Sequence, residues 1–485
     1  MSDLQSRLRE IPQVSAVLED TRLAGFLAGR RRLWAGRVVQ EELERLRARL
    51  REYRGPVATR ADLHEELVAA VATRCLRLLR PAWTRVLNGT GVVVHTNLGR
   101  AGLPESAADA VRTVAVRYSD LELDLESGRR GHRGRLVERK AALLAGSEDA
   151  LVVNNNAAAL WLAVRYLSRG GPVLLSRGEI VAIGGSFRLH EIIAETGSTL
   201  IEVGTTNRTT LEDYRRALVP GAVVLKVHRS NFAMEGFTAE TSLADLAALC
   251  AREGCPLVYD AGSGLLVAPA DLGLPPGETL LGDDVATGCD LVTCSGDKLL
   301  GGCQAGIILG RAAHVAGLRE HPLRRAVRVD KMTLAALDAV LTAYLDATGL
   351  LPALPALAAL ALTPAELQAR AEALRDALAG NAPSGWRAQV VAGVSSVGGG
   401  AYSTAELETR LLLFSGPHEE LEACHQRLRR QDPALVARLN QDGLGVDPRA
   451  IANDEVPLVV AAFIDAWAPL TAQGKDARDG EANRG

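Results

Sequence analysis

Lysine is nearly absent from this chain of 485 residues. Of its 55 basic side chains only Lys140, Lys226, Lys298, Lys331 and Lys475 are lysine, and the other 50 are arginine. A guanidinium stays protonated and is not a useful amine nucleophile. A lysine that persists in such a composition is therefore a candidate for work arginine cannot do, chiefly Schiff-base formation. No apolar stretch reaches the ~18 residues of a membrane span, and Met1 to Glu10 lacks the basic stretch and apolar run of a signal peptide, so a soluble, cytoplasmic protein with no membrane partner is expected. The seven cysteines include no CxxC pair, which argues against a disulfide framework or a zinc knuckle and leaves buried free thiols as the expectation. GxGxxG after the first strand, GxxxxGK[ST], HExxH and GxSxG are all missing. Their absence removes the dinucleotide, Walker-loop, simple zinc-peptidase and nucleophile-elbow readings, and no metal is expected.

What is present suits a folded chain, with 47% hydrophobic and 23% charged residues. At roughly 100 to 200 residues per domain it should form two to four domains. The net charge of −3 is unevenly spread: residues 1–85 hold 17 Arg, no Lys and 11 Asp or Glu, which is +6, and the remaining 400 carry −9. A basic segment on an acidic body is expected where one module contacts a polyanion such as RNA, although a solvated helix surface has the same composition.

Residues 1–85 read as a small helical domain. Leu43, Leu46 and Leu50 share one face of Glu41 to Arg54, and Leu67, Val71, Cys75 and Leu78 share one face of His64 to Arg80. From residue 86 to about 350 the pattern is α/β, with strands expected at Gly91 to His95, Ala150 to Val153, Pro172 to Ser176, Thr199 to Val203, Ala222 to Val227, Pro256 to Tyr259, Leu291 to Cys294 and Ala305 to Leu309. Amphipathic helices fall between them, the signature of a mostly parallel sheet covered on both faces, whose active site forms at the carboxyl ends of the strands. Ala312 to Leu350 reads as helical, residues 351–470 as a small α+β domain, and 471–485 as a disordered polar tail.

Among the lysines, Lys298 stands apart. It follows the strand Leu291 to Cys294 in the turn Ser295-Gly296-Asp297-Lys298, with Gly301 and Gly302 close behind to let backbone approach a ligand. Asp260 ends the strand Pro256 to Tyr259, 38 positions earlier, and opens Asp-Ala-Gly-Ser-Gly. A carboxylate there could hold the protonated pyridine nitrogen of pyridoxal 5'-phosphate, although an Asp opening a Gly turn is common in its own right. Asn154, Asn155 and Asn156 join a strand to a helix, where capping side chains and backbone N–H groups suit a phosphate, and Ser295 offers a further hydroxyl. Together these point to a pyridoxal phosphate enzyme.

The strings HTNLGR (95–100), GHR (131–133), VNNNAAA (153–159), SRGE (176–179), IGGSFR (183–188), EVGTTNRT (202–209), SGDKLLGG (295–302), QAGII (304–308) and KMTLAAL (331–337) resemble the bacterial selenocysteine synthases, the L-seryl-tRNA(Sec) selenium transferases. The resemblance runs from about residue 10 to 470. It implies a fold type I pyridoxal phosphate enzyme with an N-terminal tRNA-binding domain, assembled as a homodecamer (a ring of five dimers). The activity it implies is conversion of seryl-tRNA(Sec) to selenocysteinyl-tRNA(Sec) with selenophosphate, through loss of water and addition of selenium to a dehydroalanyl-tRNA. It makes Lys298 the residue that carries the cofactor, with Asp297 beside it as a second catalytic residue, Asp260 the partner of the pyridine nitrogen, and Arg100, Arg325 and Arg328 the contacts of the anionic selenium donor. The run His321 to Arg328 suits such an oxyanion on chemical grounds too, because arginine forks bind oxyanions bidentately. Arg129, Arg130, Arg133 and Arg135 form a second basic loop, usable for tRNA phosphates or for an interface. One departure is Cys303, which stands where the family has proline and puts a thiol near the reactive centre. Two other readings stay open: a pyridoxal phosphate lyase acting on a free amino acid or amino sugar, and a non-catalytic tRNA-binding scaffold.

Overall fold

The computed structural model describes residues 3–29, 31–53, 55, 58–183, 187–346, 349–402 and 404–482. Gly184, Gly185 and Ser186 of the string IGGSFR lie outside the described residues. The chain divides into two compact units, residues 1–85 and 86–485.

In the first unit two helices, Arg31–Glu52 and Arg60–Leu79, are longer than the apolar periodicity alone suggests. The second starts where Thr59 and Asp62 form a reciprocal capping box, which satisfies backbone donors ahead of the first apolar position. Val38, Val39 and Leu43 pack with Leu67, Val71 and Cys75, and Leu46 and Leu50 pack with Leu63. Leu78, expected on the buried face, is exposed.

The second unit is built on a seven-stranded sheet: β1 Asp149–Val153, β2 Pro172–Ser176, β3 Thr199–Val203, β4 Val223–Val227, β5 Leu257–Gly262, β6 Leu291–Ser295 and β7 Gly306–Gly310. Its order is β1-β7-β6-β5-β4-β2-β3, and β7 alone runs antiparallel to its neighbours. β4, β5, β6 and β7 are buried at every position, because helices cover both faces, and this is why they read as unbroken apolar runs rather than alternating ones. No helix among the described residues is long and apolar enough to cross a membrane.

Three expectations need correction. Gly91 to His95 is not a strand: Val92 makes a single bridge to Ser396, and Thr96–Leu98 is a short 3-10 turn. Gly91 has φ of 71° and Asn88 accepts from the Thr90 N–H, so the chain turns where the apolar run suggests extension. The strand lies earlier, at Val86–Asn88, and pairs in parallel with Ala434–Val436. Ala312 to Leu350 is interrupted, because Pro322 has no N–H to continue the helix Ala312–Glu320, and a new helix, Lys331–Leu345, begins only where Asp330 caps it. The final helix, Val456–Ala482, continues into the segment expected to be a disordered tail, where Ala, Gln, Lys and Glu favour a helix.

The boundary between the large and small parts of this unit is not a single point in sequence. Leu87 belongs to the core formed by residues 374–467, whereas Leu354, Leu357 and Leu360 pack on the large sheet. That small core sits on a four-stranded antiparallel sheet that includes Arg387–Ser396, Glu406–Ser415 and Gly443–Val446. Asp447, wholly buried, ties the strands of this small sheet together: its carboxylate accepts from Ser395 Oγ at 2.7 Å, Thr409 Oγ1 at 3.0 Å, Arg438 Nη2 at 3.0 Å and the Arg449 N–H at 3.0 Å. Removing one member of a buried charge network leaves the others unpaired, at about 3–5 kcal/mol. Asp447→Ala should cost that much in denaturant unfolding followed by the fluorescence of Trp386 and Trp467, which lie in the same core. A loss below about 1 kcal/mol, the scale of an exposed pair, would show that Asp447 is no tie.

Candidate active site

The carboxyl ends of β4, β5 and β6 lie side by side and bring distant residues together. Parallel pairing sets Val227 against Asp260 and Asp260 against Thr293, so Asp260 sits between the two neighbouring strands near the edge where they end. β6 leads at once into Gly296, Asp297 and Lys298. This turn is held from several sides: the Leu299 N–H donates to the Ser263 carbonyl at 3.0 Å, the Gly301 N–H to the Lys298 carbonyl at 3.0 Å, and the Ala101 N–H to the Asp297 carbonyl at 3.3 Å. Gly301 adopts φ of 74°, a left-handed conformation that a β-carbon disfavours.

On the neighbouring side, the helix Asn156–Ser168 starts after β1 with Asn155 as its cap, whose Oδ1 accepts from the Ala158 N–H at 2.8 Å. β7 presses against this start. A β-carbon on Gly306 would stand 2.1 Å from the Asn155 carbonyl oxygen, so only glycine permits the approach.

These elements enclose a cavity of about 620 Å³. Of the residues expected from sequence, Arg100, Asn155, Asn156, Asp260, Ser295, Asp297 and Lys298 all line it. Asn156 Nδ2 donates to Asp260 Oδ1 at 2.8 Å and Thr293 Oγ1 to the same oxygen at 3.3 Å. Arg100, held at φ of 64°, donates from Nη1 to Asp297 Oδ2 at 2.8 Å. Burial holds the Lys298 amine below its ordinary pKa, against the pull of Asp260, and burial raises the Asp260 carboxyl, against the Asn156 donor and Lys298.

Asn154 does not take part. It is exposed, and its N–H donates to the Val327 carbonyl. Arg325 and Arg328 do not line this cavity either, and Arg328 lies 3.5 Å from Glu122, which also pairs with Arg130 and Arg133. The cavity adds Thr96, Asn97, His228, Asn231 and Gln304, which the sequence reading passed over. His228 had a signal of its own, as the first residue after an apolar strand on the edge where sites form.

The other lysines are engaged elsewhere. Lys226 forms a buried pair with Glu179 at 2.8 Å, Lys140 pairs with Asp338 at 2.6 Å, and Lys331 donates to the Arg117 carbonyl at 3.2 Å. The side chain of Lys475 lies outside the described residues. Lys298 alone among the described lysines is buried in the cavity with no hydrogen bond or ion pair.

A mostly parallel seven-stranded sheet in this order, with one antiparallel strand and helices on both faces, is the architecture of the fold type I pyridoxal phosphate enzymes. A solved structure of D-glucosaminate-6-phosphate ammonia-lyase has this fold, superposing with a TM-score of 0.56 at 21% identity over 80% of this chain and 97% of its own. The family model described as L-seryl-tRNA selenium transferase matches residues 86–452. Two proteins named L-seryl-tRNA(Sec) selenium transferase are similar over nearly their whole length: that of Solidesulfovibrio magneticus is 45% identical over 97% of this chain and 100% of its own, and that of Geobacter sulfurreducens 43% identical over 93% and 98%. The chain belongs to the L-seryl-tRNA selenium transferase family. Among the described residues no group of three or more His, Cys, Asp or Glu could hold a metal ion.

Cys303 is directed away from the cavity. Its Sγ donates to the Thr333 carbonyl at 3.4 Å, and burial pushes its pKa up to about 12. Cys255, by contrast, is only partly buried, and the neighbouring Cys250 thiol holds it below the ordinary thiol value. Iodoacetamide at pH 8 should therefore label Cys255 while leaving Cys303 unmodified in the folded protein, as read by peptide mass mapping, because the thiolate is the reactive form. Rapid labelling of Cys303 would place its thiol in reach of the site.

Proposed function

We propose that the chain converts L-seryl-tRNA(Sec) to L-selenocysteinyl-tRNA(Sec), with pyridoxal 5'-phosphate as cofactor and selenophosphate as selenium donor. The observation that carries this reading is the unpaired, buried Lys298 facing Asp260 in one cavity, in a chain similar over its length to selenium transferases. The residues present fit the cofactor. Asn156 and Asn231 line the cavity, and each has a buried Oδ1 with no hydrogen-bond partner among the described residues, an arrangement that suits a polar occupant. Bound there, pyridoxal phosphate supplies an electron sink for the pair left when the seryl Cα loses its proton.

The residues of the chain do the rest. Lys298 would hold the cofactor, and its amine is the group placed to take the Cα proton and later return it; a depressed pKa suits an amine that must be neutral to act. Asp260 holds the pyridine nitrogen protonated, and Asn156 fixes the carboxylate. The first-turn N–H groups after Asn155, with Ser295, take the phosphate. Asp297 orients Arg100, which we assign to the selenium donor. Arg325 and Arg328 lie away from this chain's own cavity, so in this reading they act in the cavity of a neighbouring subunit of a homodecamer. The basic residues 1–85 take the tRNA, whose phosphates the acidic body repels. The enzyme acts in the cytoplasm.

The decisive experiment is incubation with seryl-tRNA(Sec) and selenophosphate, with the aminoacyl group identified by mass. Selenocysteine is the expected product. Unchanged serine on the tRNA, together with turnover of a free amino acid or amino sugar, would replace this reading with a lyase. Lys298→Ala and Lys298→Arg should each abolish turnover, since neither keeps a usable amine, and borohydride should fix the cofactor to Lys298 in the unmodified protein. Finding it on Lys226 or Lys331 would overturn the assignment.

A further inference from the structure

His228 begins the loop after β4 and lines the cofactor cavity, and its backbone N–H donates to the Asp260 carbonyl at 2.9 Å. Its ring has a partner that neither the Schiff base nor the donor site uses. Nε2 lies 3.1 Å from Glu278 Oε2, a carboxylate whose side chain is wholly buried. The other Glu278 oxygen accepts from Ser263 Oγ. Ser263 is buried as well, and its carbonyl holds the Leu299 N–H next to Lys298. A chain of contacts therefore runs from the lysine turn through Ser263 and Glu278 to His228 and returns to the cavity. The second ring nitrogen, Nδ1, has no partner among the described residues.

Elimination of water from a seryl group needs two proton movements. Lys298 accepts the proton from Cα, but hydroxide is a poor leaving group and its oxygen must gain a proton as the Cβ–O bond breaks. Of the cavity residues described, Lys298 is occupied with Cα, Asp260 with the pyridine nitrogen and Arg100 with Asp297, and a guanidinium does not give up its proton. His228 is left.

Resting on the selenium-transferase reading, we propose that His228, held by Glu278, is the acid that protonates the departing seryl hydroxyl. The Cα–H bond breaks with its proton going to Lys298, and its electron pair forms the Cα–Cβ double bond. The Cβ–O bond breaks with its pair going to oxygen, and that oxygen takes a proton from His228 and leaves as water. The neutral imidazole is then ready to accept a proton from the incoming selenium nucleophile, which resets the site. Glu278 and Ser263 are positioning residues, acting through His228.

The charge state fits the role. Burial opposes charge on the ring, yet the Glu278 carboxylate outweighs it and holds His228 above its ordinary value, with Asp284 and Glu240 adding to the effect. The other ionisable groups facing this region are balanced or distant in kind: Lys226 pairs with Glu179, Arg229 pairs with Glu240, Tyr259 and Tyr402 are neutral phenols, and Asp260 and Lys298 offset each other.

Leaving-group dependence tests the proposal. The holoenzyme is given seryl-tRNA(Sec) and, separately, the same tRNA charged with β-chloroalanine, whose chloride departs without a proton. General acid catalysis is worth about 10²–10⁴-fold. His228→Gln should lose on the order of 100-fold or more on the seryl substrate, and chloride should recover most of that loss. Glu278→Gln should show the same pattern more weakly and shift the alkaline limb of the pH profile for dehydration, where His228 loses its proton, to lower pH. Nitrogen-15 spectra of the cofactor-free protein supply a reading independent of turnover. The His228 ring should titrate above an ordinary histidine in the unmodified protein, and Glu278→Gln should lower it. Equal losses on both substrates, or a His228 ring already neutral at pH 6, would overturn the role of His228. Failure of the unmodified enzyme to dehydrate seryl-tRNA(Sec) at all would instead remove the reading on which it rests.

Discussion

The burial of the Lys298 amine without a partner is the constraint around which the catalytic unit is arranged. An ammonium taken out of water and left unpaired costs far more than a surface lysine, and a protein normally avoids it by pairing, as this chain does for Lys226 with Glu179. Here the cost is tolerated because neighbouring structure leaves the side chain little alternative. The turn that carries it is bonded to the segment after β5 through Ser263 and to the 95–101 loop through Ala101, and Gly296 and Gly302 fit where a β-carbon would collide with backbone. The result is an amine held below its ordinary pKa by burial, in the same cavity as a carboxyl that burial raises above its own.

The sheet explains why those groups meet. Lys298 and Asp260 come from adjacent parallel strands that end on the same edge, while the Asn155 cap arrives from β1, across the antiparallel β7. Gly306 on β7 marks the point where that helix start presses closest, because a β-carbon there would meet the Asn155 carbonyl. The small sheet contributes as well, because Gly399 and Gly400 line the same cavity. The Asp447 network thus bears on the site indirectly, by holding that sheet against the segment around residue 89.

Much of this was legible in the sequence, and the parts that were not share a physical cause. The strands β4 to β7 are short and buried on both faces, so their apolar runs announce them to within a few residues. Lysine scarcity and the glycine-flanked turn singled out Lys298, and Asp260 followed from its place at a strand end. Gly91 to His95 misled because Val92, Val93 and Val94 are apolar for packing reasons while the backbone turns. Asn154 misled because three consecutive asparagines look alike, yet only Asn155 and Asn156 face inward. Glu278 could not be found from sequence, since it lies 50 residues from His228 and nothing local marks it.

The arginine clusters show where a single chain stops short of a complete account. Glu122 gathers Arg130, Arg133 and Arg328, and Glu138 with Asp149 gathers Arg319, so the two basic stretches around residues 129–135 and 319–328 are stapled together by carboxylates. Glu138 is buried enough that its pKa is raised to about 7 despite Arg319, which marks a network held by packing as much as by charge. The carboxylates fix these guanidinium groups in orientation, at the entropy cost of holding long side chains in one geometry. The staple also carries Tyr118, Leu125 and Leu136 exposed on the flanking residues, a large apolar area for a surface meant for water. The result is a basic, carboxylate-braced surface with an apolar margin, outside the cavity that holds Lys298, so the two arginine-rich stretches and the buried lysine are separate features of the same unit.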